Sequence, residues 1–411
     1  MKYGLIGEKL PHSYSKTVHE SFADYEYELM ELKPEELGGF MRRADFQGIN
    51  VTIPYKVAVI PYLDEVDPAA KRIGAVNTVV KRNGRLLGYN TDYFGLKKLA
   101  ERVAGNVSGK TALILGTGGT SLTARAVLTD AGARVVTVSR TPKNGEIEYA
   151  DAEKLSDARI LINTTPVGMF PRPGASPINL DGLTGLEAVI DAIYNPIRTE
   201  LILEAQKRGL KAEGGLYMLI AQAVKASELF TGSVYPDGLA DGIYRKIRNE
   251  KENIVLTGMP GSGKSTVGAI IAGKLGRRLL DTDKLIEERA GKSVTEIFAA
   301  RGEKAFRDLE SEVIREISEN VGGAVIATGG GAVLREENVR RLKRTGRIFF
   351  LDRPPELLIP TPDRPLALSA EAIMNRYRER IGIYRSTADT AVDGSGTPEE
   401  VAGLVMKERE S

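Results

Sequence analysis

The sequence predicts an α/β protein built on parallel sheets and divided into at least two units. Three observations carry that expectation. The run Gly258-Met-Pro-Gly261-Ser262-Gly263-Lys264-Ser265 spells G-x-x-x-x-G-K-[ST] between a strand-like run over 254–257 and a helix-like run over 266–275. A second glycine turn, Gly116-Thr-Gly118-Gly119-Thr120-Ser121, also lies between a strand-like run (111–115) and a helix-like one (121–131). From Lys110 onward short β-rich runs alternate with amphipathic ones, which is the pattern of βαβ units and a doubly wound sheet.

Composition bounds the rest. With 411 residues, 42% hydrophobic and 27% charged, the chain is a multi-domain globular protein with ample core. Its net charge of +2 is spread over interspersed acids and bases, which argues against a nucleic-acid partner. There are no cysteines, so disulfides and thiolate metal sites are excluded and a reducing, cytoplasmic location is expected. The two histidines, His12 and His19, make a zinc site an unsuitable reading. The first residues form too short an apolar run for a signal peptide, and no membrane span is expected. Composition gives no oligomeric state.

Taken in order, strands are expected over 2–7, 27–32, 48–51 and 75–80, forming a first sheet. A second sheet takes strands 111–115, 134–138, 159–162 and 188–193, with helices over 121–131 and 199–208. The charged stretch Tyr244–Asn253 reads as a helix end plus linker, and the main boundary falls there.

The first hundred residues hold four polar clusters: His12-Ser13-Tyr-Ser15, Asn50-Val-Thr52-Ile-Pro54-Tyr-Lys56, Gly74-Ala-Val-Asn77-Thr78 and Gly88-Tyr-Asn90-Thr91-Asp92. Taken singly, each has a structural reading: Ser15 and Asp92 as helix N-caps, Lys56 as a solvated lysine, Asn77 as a turn residue. Together, and followed by the first glycine turn, they resemble the shikimate dehydrogenase family from Met1 to about Ile247. The resemblance implies a substrate-binding and catalytic α/β domain over 1–104, completed by returning helices over about 216–247, and a Rossmann-like NADP domain over 105–215. It implies a catalytic Lys56 and Asp92, with Ser13, Ser15, Thr52, Asn77, Tyr194 and Gln222 binding substrate. Tyr194 sits in Asp191-Ala-Ile-Tyr194-Asn-Pro196, and Gln222 in Gly215-Leu-Tyr-Met-Leu-Ile-Ala-Gln222. The cofactor would meet Gly116, Gly118, Gly119, Thr120, Ser121, Ser139, Arg140, Thr141 and Gly215. Arg140 suits a 2′-phosphate, and no acid stands where an NAD enzyme places one, so NADP(H) is expected. Ser139 replaces the family's usual asparagine, Asn144 stands near the place of a further arginine with Lys143 as its substitute, and Lys16 replaces a proline.

The second unit has its own chemistry. Glycines in the loop let backbone N–H groups surround phosphates, Lys264 reaches the outer phosphates and Ser265 ligates Mg²⁺. Leu279-Leu-Asp281-Thr-Asp283 ends a strand on two carboxylates, and Ala327-Thr-Gly329-Gly330-Gly331 follows another. Arg307, with Glu303 and Glu310 four and three residues away, has a plain reading as a helix-surface ion pair. The constellation resembles shikimate kinase over 253–411, joined through a linker at 248–252. That implies a P-loop fold with a lid, and ATP bound by Gly261, Ser262, Gly263, Lys264, Ser265, Thr266 and the lid's Arg364. Ser265 and Asp281 would serve Mg²⁺, and Asp283 would be catalytic. Shikimate would meet Asp283, Arg307, Gly329, Gly330, Gly331 and Arg380. The segment Pro354–Arg364 is short and proline-rich and lacks a further arginine common in relatives.

The two resemblances imply consecutive reactions on small-molecule substrates: NADPH-dependent reduction of 3-dehydroshikimate, then phosphorylation of shikimate with ATP and Mg²⁺. The alternative is a quinate/shikimate dehydrogenase using NAD, fused to a nucleotide-binding but weakly active kinase half.

Overall fold

A computed structural model describes residues 2–10, 13–143, 145–358 and 370–410. The chain divides into two units, Met1–Ile247 and Arg248–Ser411.

The first unit holds two sheets. One has six strands: β1 (Tyr3–Gly7), β2 (Tyr27–Glu31), β3 (Gly48–Val51), β4 (Glu65–Val66), β5 (Thr78–Arg82) and β6 (Arg85–Tyr89), in the order β2-β1-β3-β5-β6-β4. Its β1, β2 and β3 are parallel, whereas β5 runs antiparallel to both β3 and β6. The other sheet is wholly parallel: β7 (Thr111–Leu115), β8 (Arg134–Val138), β9 (Ala158–Asn163), β10 (Ala188–Asp191) and β11 (Lys211–Glu213), in the order β11-β10-β9-β7-β8. Its central strands are buried along their length because helices cover both faces, which is why they read as continuous apolar runs.

The second unit is a five-stranded parallel sheet of β12 (Asn253–Thr257), β13 (Leu279–Asp281), β14 (Val325–Ala327), β15 (Gly346–Asp352) and β16 (Thr390–Asp393), ordered β13-β14-β12-β15-β16. In both parallel sheets the functional turns leave the carboxyl ends of central strands: 116–121 after β7, 258–265 after β12 and 328–331 after β14.

Two expectations differ. The strand expected over 75–80 is β5, Thr78–Arg82. Val76 directs its N–H to the Lys56 carbonyl (2.7 Å), away from the neighbouring strands, whereas Asn77 still bonds Tyr89 of β6 (3.1 Å) and Val51 of β3 (2.7 Å), so regular pairing begins at Thr78. The expected linker at 248–252 is helical through Lys251, because the helix Leu239–Lys251 contains no breaker after Gly242. Ile243, Tyr244 and Ile247 of that helix pack in the core of the first unit; the carbonyls of Asn249 and Lys251, already within the second unit, accept from Arg409 and Gly323. Among the described residues no helix is long and apolar enough to cross a membrane.

His19 shows how tightly the first sheet is covered. Its ring is fully buried, stacks on Tyr27 at 4.0 Å and places Nδ1 2.7 Å from the Tyr25 hydroxyl. Burial pushes its pKa down from 6.5 to about 3, only partly opposed by a hydrogen bond with Asn50. The unfolded chain therefore binds a proton between about pH 6.5 and 3 that the folded chain refuses, so stability falls as pH falls through that window. His19→Gln should flatten this acid limb: the stability difference between pH 7 and pH 4, read from urea unfolding, should shrink by more than about 1 kcal/mol relative to wild type.

Candidate active sites

In the first unit, β3 delivers Asn50 and Val51 and then turns into the short helix Tyr55–Ala58, which carries Lys56. Asp92 lies in the first turn of the helix Thr91–Ala104. The helix N-cap is Asn90, whose Oδ1 accepts from Tyr93 N, so Asp92 is not the cap and its carboxylate is free for other work. Ser15 is likewise the first helical residue rather than the cap, which is Tyr14. Lys56 Nζ and Asp92 Oδ2 lie 2.5 Å apart with side chains only 13% and 9% exposed, so the solvated-lysine reading fails. Such a half-buried pair holds both charges in place, because removing either leaves the other desolvated and unpaired.

Asn77 and Gln222 meet beside this pair. Asn77 Nδ2 donates to Gln222 Oε1 (3.4 Å) and Thr91 Oγ1 (3.1 Å), and Asn77 Oδ1 accepts from Thr91 N (2.6 Å). Gly95 permits this approach, since a Cβ there would lie 2.5 Å from the Met218 carbonyl and 3.0 Å from Gln222 Cβ. Elsewhere in the unit Ser13 hydrogen-bonds Tyr194, whose phenol burial pushes up in pKa against that bond's opposing pull. Thr52 donates its N–H to Ile6 and packs its methyl where a Gly7 side chain would otherwise stand.

The turn after β7 is built for close approach. Gly116 has φ +103, a conformation open to glycine, and Ser121 Oγ donates to its carbonyl at 2.6 Å. Gly118 caps the helix Gly119–Asp130, and nothing stands within 4 Å of where its Cβ would be. Gly119 abuts the Lys56 stem, with Lys56 Cβ 3.3 Å from a built Cβ, and Thr120 Oγ1 lies 3.5 Å from Lys56 Nζ. The dinucleotide-type turn thus touches the lysine. Ser139 follows β8 and accepts from Thr141 N, while Arg140 and Thr141 are exposed beside it. Gly215 lies where any Cβ would overlap the Ala192 carbonyl, so it lets the helix Leu216–Thr231 start against β10.

In the second unit Gly261 and Gly263 take φ +82 and +88, and the helix Lys264–Leu275 begins directly after them, carrying Ser265 and Thr266 on its exposed first turn. Lys264 is buried and donates to the Gly258 and Met259 carbonyls, both at 2.9 Å, while Ser262 packs its hydroxyl under Gly258. Asp281 caps the helix Thr282–Ala290 through Asp283 N (3.1 Å), and its other oxygen accepts from Ser265 Oγ at 2.6 Å. A hydroxyl paired with a carboxylate suits a hard cation that takes oxygen ligands and keeps most of its waters, which fits Mg²⁺.

Arg307 departs from the surface reading. It pairs with Glu303 (3.1 Å) and Glu310 (2.8 Å), but its side chain is only 11% exposed and Glu310 is fully buried. Burial alone would lower the Arg307 pKa; the two carboxylates more than offset it and the net shift is upward. The guanidinium lies where a Gly331 side chain would stand. Gly329 similarly leaves room for Asp283 Oδ1 and Glu310 Oε1, at 2.5 and 2.7 Å from a built Cβ, and Gly330 rests on Pro260 of the phosphate-type loop. The three glycines do not all offer N–H groups, because Gly329 N donates to Thr282 Oγ1 at 2.8 Å. Arg380 Nη1 donates to the Gly330 carbonyl at 3.5 Å, as does the Tyr384 hydroxyl. Arg364 lies outside the described residues.

Comparison with known proteins bears on both units. Residues 5–79 match the family of shikimate dehydrogenase substrate binding domains. The NADP(+) shikimate dehydrogenase of Clostridium beijerinckii is 37% identical over 265 residues, 60% of this chain and 98% of the relative. That of Geobacillus kaustophilus is 39% identical over 57% of this chain and 94% of the relative. The chain belongs to the shikimate dehydrogenase family. Among solved structures, shikimate dehydrogenase 1 from Peptoclostridium difficile superposes with a TM-score of 0.57 at 36% identity, covering 60% of this chain and 98% of that one. A Thermus thermophilus shikimate 5-dehydrogenase in complex with NADP(H) and shikimate gives 0.55 at 33% identity, covering 60% and 99%. Residues 260–409 match the shikimate kinase family, so a shikimate kinase domain follows the dehydrogenase.

Some residues around these two sites were missed from sequence. Thr91, at the junction of Asn77 and Gln222, was quoted only as part of a cluster, and a lone threonine carries no signal. Asn90 Nδ2 joins the Ala75 carbonyl to Thr123 Oγ1 across the dehydrogenase unit. In the kinase domain Thr282 and the buried Glu310 hold the glycine turn and Arg307. Gly331→Ala should push the Arg307 guanidinium aside at a cost of about 1–3 kcal/mol. The expected result is a KM for shikimate raised by about tenfold or more in phosphorylation, with the dehydrogenase rate of the same chain unchanged.

Proposed function

We propose that the chain is a bifunctional enzyme that reduces 3-dehydroshikimate to shikimate with NADPH and then phosphorylates shikimate with ATP and Mg²⁺. The observation that carries the first half is the Lys56–Asp92 pair lying against Thr120 and Gly119 of the dinucleotide-type turn, which sets a proton donor beside the place where a nicotinamide cofactor enters. The cofactor supplies the hydride. Lys56 donates the proton that the ketone oxygen needs as it becomes a hydroxyl, and Asp92 orients the ammonium through its 2.5 Å contact. Asn77, Thr91 and Gln222 form a hydrogen-bonding wall for ring hydroxyls, and Ser13 and Ser15, with Tyr194, take the carboxylate. A wall of that kind rejects analogues lacking the matching groups. Arg140, exposed next to Ser139 and Thr141, takes a 2′-phosphate.

In the second half ATP with its Mg²⁺ supplies the phosphoryl group. Lys264 and the loop N–H groups at 261–266 grip the phosphates, and Ser265 with Asp281 would hold the metal. Asp283 accepts the proton of the attacking hydroxyl. Arg307 and Arg380 present planar forks to the substrate carboxylate, a match lysine would not provide. Gly330 and Gly331 keep the turn close to the ring. Both substrates are small molecules, and the absence of cysteine and the balanced charge support a cytoplasmic setting.

An assay containing 3-dehydroshikimate, NADPH and ATP should consume NADPH and form a phosphorylated product from the same chain. Lys56→Ala should lower the rate of NADPH consumption by about 10²–10⁴-fold while phosphorylation of added shikimate stays at the wild-type rate. Loss of both activities together would refute independent sites.

A further inference from the structure

The helix Ala370–Thr387 carries three polar side chains at four-residue spacing, Arg376, Arg380 and Tyr384, which places them on one stripe. The stripe faces the glycine turn, because Arg380 and Tyr384 both donate to the Gly330 carbonyl. Arg380 already has a part in the reading above. Arg376, one turn earlier, has none.

Its surroundings are unusual for an arginine without a task. Nη1 of Arg376 is buried, with no hydrogen-bond partner among the described residues. A buried, unsatisfied guanidinium N–H is costly and calls for a compensating acceptor. The charged groups facing it are Arg380, Glu303 and Glu379, with the Tyr384 phenol nearby. Glu303 is engaged with Arg307, whose Nη2 and Nε lie 3.1 and 3.4 Å from its Oε1. Glu310, a further acid beside Arg307, is also taken up by it. Two of the nearby carboxylates are thus spent on Arg307, and Glu379, the remaining one, makes no hydrogen bond to Arg376 Nη1. Burial first, and then Arg380, lower the Arg376 pKa, as expected where like charges approach without an anion between them.

We infer that Arg376 is a third substrate-binding arginine of the kinase domain, whose unpartnered Nη1 donates to the carboxylate of the bound cyclohexene acid alongside Arg380. The inference rests on the kinase reading above and adds to it a residue that neither the glycine turn nor the phosphate-type loop predicts. The carboxylate is favoured over the transferred phosphoryl group because Arg376 shares a stripe with Arg380 against the Gly330 carbonyl, whereas phosphate ligands cluster on the loop at 258–265. It makes the kinase pocket select for an anionic ring substituent.

The test uses the full chain without nicotinamide, so that ADP formation reports phosphorylation alone. Arg376→Gln should raise KM for shikimate by about tenfold or more while kcat and KM for ATP stay within about twofold. Arg376→Lys, which keeps the charge but not the fork, should recover part of that loss. Shikimate methyl ester, neutral at the same position, should compete with shikimate equally well against wild type and Arg376→Gln. The dehydrogenase rate of each variant monitors folding. An unchanged KM for shikimate, an increase in KM for ATP, or equal weakening of acid and ester would overturn the inference. A wild-type chain that forms no ADP with shikimate would overturn the kinase reading itself, a distinct outcome read before any variant.

Discussion

Charged side chains withdrawn from water must be paired, and both sites are organised around that cost. In the first unit the pair is Lys56 and Asp92, contributed by elements 36 residues apart in sequence and held 2.5 Å apart. In the second, the buried Lys264 ammonium is satisfied by two loop carbonyls, and Arg307 by one buried and one exposed acid. Each arrangement fixes a charge where chemistry needs it, because the low-dielectric surroundings penalise any geometry that separates the partners.

Close packing of backbone against those charges explains the glycines. Gly119 lies against the Lys56 stem, and Gly329 and Gly331 lie against Asp283, Glu310 and Arg307. A methyl group at Gly329 or Gly331 would strike a charged group rather than a deformable apolar one. Their requirement is therefore steric, whereas Gly261 and Gly263 are required by positive φ. The same residue type meets two physical needs within one domain.

The two units solve similar problems on the same scaffold logic, with functional turns at the carboxyl ends of parallel strands. Their candidate sites differ in lining. That of the dehydrogenase unit has neutral amides and hydroxyls linked in one network through Thr91, while that of the kinase domain has guanidinium groups. A hydride acceptor needs orientation and one proton, whereas phosphoryl transfer needs developing negative charge neutralised.

The sequence alone determined the architecture, because the glycine turns, the strand–helix alternation and the ordered polar clusters are local patterns. Strands 111–115, 134–138 and 48–51 were legible to the residue, the first because a buried parallel strand leaves an uninterrupted apolar run, the second through its β-branched residues. Tertiary structure decided what depends on neighbours distant in sequence: that Asn90 rather than Asp92 caps its helix, that Val76 bonds Lys56 instead of a neighbouring strand, and that helix continues through Lys251. It also decided that Arg307 is buried, that Thr282 consumes the Gly329 N–H, and that Arg376 Nη1 lacks an acceptor among the described residues. Burial and hydrogen-bond satisfaction are properties of the packed chain, and no single stretch of residues encodes them.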